Sequence, residues 1–227
     1  MSEKKKRKVQ IRSPVMQKND RIAQGNRALL DRAGLTCLNL MSSPGAGKTT
    51  ILEGLAGRLG DRMAVIEGDV QTRRDADRVR SAGAQAWQIE TRGACHLDAE
   101  VVSGVLEEMG LPRSPWRFLF IENVGNLICP SGFYLGEHVT IGMLSVPEGD
   151  DKILKYPALF SKIDLLLLNK ADLLPHIEFD VERAVGECRS LNSDVDVITL
   201  SALTGEGLDE LQDYIERAAE ERFPTGG

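Results

Sequence analysis

Short apolar runs alternate with helical stretches along most of the chain. The apolar runs predict strands over residues 36–41, 63–67, 85–89, 117–121, 139–146, 164–168 and 195–200. The intervening stretches predict helices from Asp20 to about Arg32 and over residues 47–59, 73–82, 96–109, 152–160, 178–191 and 207–222. Continuously apolar strands are buried on both faces, and strands that alternate with helices form a mostly parallel sheet. We therefore predict an α/β fold of three layers, with ligands bound at the carboxyl ends of the strands.

Composition refines this picture in two ways. The 227 residues suffice for one domain with a full core, and no apolar run approaches the roughly 18 residues of a membrane span. The four cysteines form no C-x-x-C pair, and the basic start of the chain lacks the apolar region of an export signal. We therefore expect a cytoplasmic protein in which cysteines are buried or bind metal rather than form disulfides.

Charge is distributed unevenly. Five positive charges and one negative charge lie within the first eight residues, so the rest of the chain is more acidic than the net charge of −6 suggests. An acidic body is a poor nucleic-acid binder. The run KKKRKV resembles a nuclear-import signal, but a solvated tail is the preferred interpretation. We assign residues 1–16 to a basic flexible tail and residues 17–227 to a single domain.

A phosphate-binding loop follows the first predicted strand. The segment from Ser42 to Thr49, SSPGAGKT, matches G-x-x-x-x-G-K-[ST] except that Ser42 replaces the first glycine. Its glycines let backbone amides surround a phosphate at the positive end of a helix. Lys48 is expected to reach the β- and γ-phosphates, and the Thr49 hydroxyl to bind Mg²⁺. The predicted phosphate-binding residues are Gly45, Ala46, Gly47, Lys48, Thr49 and Thr50. This context makes a simple glycine turn a poor alternative.

Two later segments predict selectivity for guanine. Asn169-Lys170-Ala171-Asp172 follows a buried strand and matches N-K-x-D, in which the Asp172 carboxylate accepts from the N1–H and 2-amino groups of guanine. Adenine offers neither donor and would leave the carboxylate unpaired. Ser201-Ala202-Leu203 resembles the S-A-K base loop, and the backbone amides of Ser201 and Ala202 are expected to face guanine O6. Each motif alone is also compatible with an ordinary polar loop.

Two carboxylates are candidates for catalysis. Asp69 follows the strand at 63–67 and is expected to hold Mg²⁺ or a metal-bound water. Glu122 ends the strand at 117–121, and Glu122-Asn123-Val124-Gly125 resembles the D-x-x-G switch, in which the Gly125 amide would sense the γ-phosphate. A surface carboxylate is the alternative for each residue alone.

A second group of residues has metal-binding chemistry. Cys95 and His96 are adjacent at a predicted helix start, where the helix dipole would favour the thiolate, and Cys129 lies in the loop after Glu122. Two thiolates and an imidazole suit zinc or nickel. Spacing alone favours the alternative of two small core cysteines and an unrelated histidine, since only the adjacent Cys95-His96 pair indicates a metal site.

From about Asn19 to Arg217 the chain resembles the hydrogenase nickel-incorporation GTPases, the HypB family. The resemblance rests on NLMSSPGAGKTTILE, EGDVQTRRDADRVRSAGA, CHLDAEVV, IENVGNLICP, LSVPEGDDKILKYPALF, LLLNKADLLP and LSALTGEGLDEL. It implies a P-loop GTPase of the signal-recognition/MinD class with Mg²⁺ and GTP or GDP as cofactors. It also implies a GTP-linked homodimer with a nickel or zinc site at Cys95, His96 and Cys129. The implied partners are a small HypA-type protein and the hydrogenase large subunit.

Some features of that family are missing, and two alternatives stay open. No cysteine precedes Cys37 and His96 is the first histidine, so neither a C-x-x-C-G-C nickel site nor a histidine-rich stretch is present in this sequence. The urease accessory GTPases are similar in the P-loop but place Cys-Pro-His where this chain has Cys129-Pro130-Ser131. The other alternative is a regulatory GTPase without metal, in which Cys95 and Cys129 only pack.

Overall fold

The computed structural model describes residues 14–68, 74–89, 95–111 and 115–224. Seven strands lie close to the predicted ranges. They are β1 (Thr36–Ser42), β2 (Met63–Glu67), β3 (Gln85–Gln88), β4 (Phe118–Glu122), β5 (Val139–Ser145), β6 (Leu165–Asn169) and β7 (Asp196–Thr199). All six neighbouring pairs are parallel, in the order β3-β2-β4-β1-β5-β6-β7. The predicted parallel α/β sheet is confirmed.

Eight α-helices accompany these strands among the described residues. They are α1 (Pro14–Ala33), α2 (Lys48–Leu59), α3 (Arg74–Ser81), α4 (Ala99–Glu108), α5 (Lys152–Lys155), α6 (Pro157–Phe160), α7 (Val181–Leu191) and α8 (Leu208–Arg222). None of the described helices combines the length and apolar character that crossing a membrane requires.

The core lies on both faces of the sheet because successive strand residues point in opposite directions. Leu38 and Leu40 of β1 pack into a cluster with α2 and α8 on one face. Cys37 packs with α1 and α4 on the other face, and Met41 packs further along that strand with α5, α6 and α7. β1 is central, with β4 on one side and β5 on the other, so the segments after β1 and β4 meet at the middle of the carboxyl edge.

Four predicted helix boundaries are wrong, each for a local reason. α7 begins at Val181 rather than residue 178, because Asp180 caps it by accepting from the Arg183 amide at 2.9 Å. α1 begins at Pro14 rather than Asp20, because proline at the first helical turn loses no hydrogen bond. The stretch 152–160 is two short helices, since Pro157 has no amide to continue the first one. α4 begins at Ala99 rather than residue 96, because Asp98 caps it by accepting from the Val101 amide at 2.9 Å. Residues 14–16 of the predicted tail are therefore helical, and residues 1–13 lie outside the described part.

Candidate nucleotide and metal site

The P-loop has the predicted strand-loop-helix form. Gly45 and Gly47 take positive φ angles of 74° and 103°, which favour glycine, and α2 starts at Lys48. A Cβ on Gly47 would lie 2.4 Å from Asn169 Nδ2, so this position also lacks space for a side chain. The amino end of α2 therefore faces the loop, as anion binding requires.

Ser42, the departure from the usual first glycine, positions the P-loop lysine. Lys48 Nζ donates to Ser42 Oγ at 3.1 Å, and Ser42 Oγ donates to the Ser43 carbonyl at 2.8 Å. Lys48 is only 6% exposed, so its ammonium group is directed inward along the loop. Ser42 thus adds a side-chain contact that a glycine would lack.

Thr49 and Glu122 meet at the predicted magnesium position. Thr49 Oγ1 donates to Glu122 Oε1 at 2.9 Å, and Glu122 is 2% exposed at the end of β4. Hard oxygen donors of this kind fit Mg²⁺. Thr50 joins them in lining a cavity of about 290 Å³ beside Gly45 and Gly47. The remaining predicted magnesium residue, Asp69, lies outside the described residues.

Arg78 of α3 lines the same cavity, which the sequence analysis did not predict. Its guanidinium donates to both carboxylate oxygens of Glu53 at 2.9 and 2.6 Å, and to Thr50 Oγ1 at 3.5 Å. The cavity thus has a second side-chain cation besides Lys48, held at its rim by Glu53. Strand-helix patterning gives no signal for this, because α3 reaches the P-loop only through packing on α2.

Asn169 and Lys170 of the N-K-x-D segment hold the P-loop. Asn169 Nδ2 donates to the Ala46 carbonyl at 2.7 Å, and Lys170 Nζ donates to the Gly45 carbonyl at 2.8 Å. Lys170 takes a left-handed backbone conformation, with φ of 62°, which turns the chain directly after β6. These two residues connect the phosphate loop to the base-recognition segment.

Asp172 is oriented by the S-A-L segment. Ser201 Oγ donates to Asp172 Oδ1 at 2.5 Å, which fixes one carboxylate oxygen. The expected approach of the Ser201 and Ala202 amides to guanine O6 stays a prediction; in this structure the Ser201 amide donates to the Glu206 carbonyl at 3.0 Å. The Ala202 amide donates to Asn169 Oδ1 at 3.1 Å. The S-A-L segment therefore bonds to two residues of the N-K-x-D segment and orients both of them, Asp172 and Asn169.

The three predicted metal ligands come together. The ligand atoms of Cys95, His96 and Cys129 all lie within 4.8 Å of one another, and Cys95 Sγ is 3.5 Å from His96 Nδ1. Cys95 is exposed, and His96 and Cys129 are partly buried. Residues 34 positions apart in sequence thus form one cluster, as binding a single soft metal ion requires.

Local contacts hold two of these ligands. The side-chain oxygen of Asn126, Oδ1, accepts from the amides of Ile128 and Cys129 at 2.7 and 3.2 Å, which folds the loop around Cys129. The His96 ring stacks on Phe133 at 4.0 Å between centroids, and burial lowers the pKa of His96, favouring the neutral, metal-binding imidazole.

The predicted helix start does not lie beside Cys95. α4 begins four residues after Cys95, outside the reach of the first turn. The hydrogen bond between the two thiols raises the pKa of Cys129. A metal ion would have to displace the proton that a raised pKa keeps on the Cys129 thiol.

Asn123 connects the phosphate end to the metal end. It is fully buried directly after Glu122, and its Oδ1 accepts from the Leu97 amide, one residue after His96, at 3.3 Å. Its Nδ2 donates to Asn39 Oδ1 at 3.3 Å, and Asn39 in turn donates to Glu137 Oε1 at 3.1 Å. Desolvation raises the pKa of that buried Glu137.

The backbone of Gly125 lies against the P-loop. A Cβ at Gly125 would lie 2.9 Å from Pro44 Cα, so its backbone abuts the phosphate loop directly. Cys129 follows four residues later on the same segment. The segment from Glu122 to Cys129 therefore contacts the P-loop at one end and contributes one of the three candidate metal ligands at the other.

Known proteins are similar to this chain over most of its length. A family model described as CobW/HypB/UreG, nucleotide-binding domain, matches residues 36–199. The hydrogenase maturation factor HypB of Azotobacter chroococcum is 50% identical over 214 residues, which cover 93% of this chain and 69% of that protein. The chain belongs to the HypB family.

Other members of the HypB family agree over nearly their whole length. The hydrogenase/urease maturation factor HypB of Helicobacter pylori is 40% identical, covering 97% of this chain and 92% of that protein. A crystal structure of HypB from that organism in complex with nickel superposes with a TM-score of 0.85, covering 92% of this chain and 99% of that one. HypB of Archaeoglobus fulgidus has a TM-score of 0.83 at 36% identity, covering 89% and 99%.

Proposed function

We propose that this HypB family member is a Mg²⁺-dependent GTPase of the cytoplasm that delivers nickel to the hydrogenase large subunit. GTP hydrolysis to GDP and phosphate would control when the metal leaves the Cys95, His96 and Cys129 cluster. The observation that carries the proposal is the single segment from Glu122 to Cys129. It contacts Thr49 and Pro44 of the P-loop at one end and supplies a thiol to the metal cluster at the other.

Each part of the site has a defined task in this proposal. Lys48 and the loop amides bind the phosphates, and Asp172 accepts from guanine. Magnesium, held through Thr49 and Asp69, would neutralise charge on the phosphates. Glu122 accepts from the Thr49 hydroxyl at 2.9 Å and so orients the oxygen that would face the ion. Gly125 is the backbone contact that would respond to the γ-phosphate.

A GTP-linked homodimer would complete the metal site. One chain supplies three ligands, whereas zinc prefers four, and a two-fold interface repeats each ligand across the axis. Ile128, next to Cys129, is 67% exposed, which is favourable for a contact surface around the metal. Nickel or zinc would reach this site from a HypA-type partner, and transfer to the hydrogenase large subunit would follow.

Complementation in cells tests the delivery role. In a bacterium that lacks its own hydrogenase maturation GTPase, the wild-type chain should restore nickel-dependent hydrogenase activity, and Cys129→Ser should not. Cys188→Ser, at a buried cysteine remote from the cluster in α7, is the matched control and should complement. Equal complementation by Cys129→Ser would remove metal delivery from the proposal. Restoration of urease instead of hydrogenase would favour the urease accessory alternative.

A further inference from the structure

The buried face of α1 carries two asparagines. Asn19, Ala23, Asn26 and Leu30 form the stripe of α1 that faces the core, and the two asparagines are 6% and 2% exposed. Helix positions of this kind are ordinarily apolar, and a buried amide requires hydrogen-bond partners. Both asparagines have such partners, and all of them are backbone groups.

Each asparagine bonds two different segments at once. Asn19 Oδ1 accepts from the Ala99 amide at 2.9 Å, and its Nδ2 donates to the Tyr134 carbonyl at 2.8 Å. Asn26 Nδ2 donates to the carbonyls of Ala99 and Leu135 at 2.9 and 3.0 Å. The two amides therefore join the start of α4 to the segment at 134–135 through four hydrogen bonds.

Those two segments carry the metal ligands. Ala99 lies three residues after His96, and Tyr134 follows Phe133, the ring that stacks on His96 at 4.0 Å. Cys129 precedes Tyr134 by five residues on the second segment. Gly136, with φ of 105°, brings that segment so close to α1 that a Cβ would lie 2.8 Å from the Ala23 carbonyl. α1 thus fixes both segments against one helix.

We propose that Asn19 and Asn26 are positioning residues for the metal site, holding Cys95 and His96 within reach of Cys129. The inference rests on the proposed function, in that the cluster must bind nickel or zinc. Ligands held in place before binding lose less conformational entropy when the metal arrives. α1 precedes residues 36–199, which match the nucleotide-binding family model, so this helix supports the metal site from outside the matched region.

Nickel affinity and GTP affinity together test the proposal. Asn19→Ala and Asn26→Ala should each weaken nickel binding about 10-fold, the lower end of what outer-shell changes produce. GTP affinity should stay unchanged, because neither residue contacts the P-loop segment. Affinity is measured in the full-length protein by competition with a chromogenic chelator, and the thiolate-to-nickel absorption band reports the ligand geometry.

Asn192→Ala is the matched control. Asn192 Nδ2 donates to the Ile163 carbonyl at 2.7 Å, so its removal breaks a side-chain to backbone bond away from the metal. It should lower the melting temperature and leave nickel affinity and the absorption band unchanged. Asn19→Asp keeps the acceptor for the Ala99 amide and loses the donor to Tyr134, so it should bind nickel with an affinity between wild type and Asn19→Ala.

Two negative outcomes are distinguishable. Wild-type nickel affinity no better than that of Cys95→Ala would contradict the metal role in the proposed function itself. The second outcome is strong nickel binding by wild type that is lost in Cys95→Ala but retained in Asn19→Ala and Asn26→Ala, with an unchanged absorption band. This result would overturn only the positioning role. If Asn26→Ala does not fold, Asn19→Asp and Asn19→Ala decide the question alone.

Discussion

The P-loop, which forms the phosphate end of this site, and the candidate metal ligands Cys95, His96 and Cys129, which form its metal end, are positioned in different ways. The P-loop is one continuous stretch whose glycine conformations, helix start and buried Lys48 are all local to Ser42–Thr49. The candidate metal ligands come from two loops that meet only in the folded protein. Four asparagines hold these loops through hydrogen bonds to backbone groups: Asn19, Asn26, Asn123 and Asn126. Local sequence thus defines the conformation of the P-loop, whereas the three candidate metal ligands are held together by hydrogen bonds from residues far apart in the chain.

The largest effect is expected at the phosphate end. Lys48→Ala should lower GTP turnover by about 1,000-fold and remove most triphosphate affinity, because charge-assisted contacts to phosphate are the strong kind. Nickel affinity without nucleotide should be unchanged, since Lys48 donates to Ser42 within the P-loop. Phosphate release and chelator competition measure the two properties. Wild-type GTP turnover in Lys48→Ala would contradict the assignment of the P-loop as the phosphate-binding site.

Asp172 should determine the choice of base. Asp172→Asn should weaken GTP binding about 100-fold, because an amide cannot accept both guanine donors, and should favour xanthosine triphosphate, whose C2 carbonyl suits an amide donor. Binding of both nucleotides is compared by calorimetry. Asp194→Asn, an exposed carboxylate remote from the base loop, is the control. Equal binding of ATP and GTP by the wild-type protein would contradict the assignment.

These two predictions follow from the sequence alone. The residues that hold the candidate metal ligands in place could not be predicted in this way. N-K-x-D and the P-loop are each one uninterrupted segment, so the residue types within each segment indicate what it would bind. Asn123 and Asn126 stand in IENVGNLICP, but nothing in the spacing indicates that one amide bonds Leu97 and the other folds the Cys129 loop. Asn19 and Asn26 had a detectable signal, since two asparagines seven residues apart share one helix face. That signal could not name the partners, which lie more than 70 residues away.

Asn123 should transmit the nucleotide state between the two ends. Asn123→Ala removes the acceptor for the Leu97 amide while leaving every presumed phosphate and metal ligand in place. In wild type we expect the nickel affinity to differ between the GDP state and the state with a non-hydrolysable GTP analogue. In Asn123→Ala the ratio of these two affinities should be about 10-fold closer to one, a change within the usual range of coupling free energies. Asn123→Asp, which keeps the acceptor, should retain more of the ratio. An unchanged ratio in Asn123→Ala would place the coupling elsewhere.

The last effect concerns the scaffold around His138 and should leave nucleotide and metal binding unchanged. His138 accepts from the Cys37 amide at 2.9 Å and contacts Asp31 at 2.8 Å, and burial lowers the pKa of His138 to about 4. An unfolded histidine has a pKa near 6.5, so the unfolded state takes up this proton first as the pH falls.

Stability from His138 is therefore complete above pH 6.5 and is lost between pH 6.5 and about 4, by at most about 1.4 kcal/mol per pH unit. His138→Gln removes the titrating ring and should make the denaturation midpoint less dependent on pH in this window. Urea titrations at several pH values measure this. A pH dependence identical to that of wild type would assign the acid sensitivity to other groups.

The central claim is that nucleotide state and metal affinity are linked through the segment from Glu122 to Cys129. The most direct measurement is nickel and zinc affinity by chelator competition, with GDP and with a non-hydrolysable GTP analogue, for wild type and Cys95→Ala. We predict that the wild-type affinities differ between the two nucleotides by about 5- to 150-fold, and that metal changes analogue affinity by the same factor. Cys95→Ala should bind metal weakly in both states and bind GTP normally. Equal metal affinity for wild type and Cys95→Ala in both nucleotide states would contradict the account.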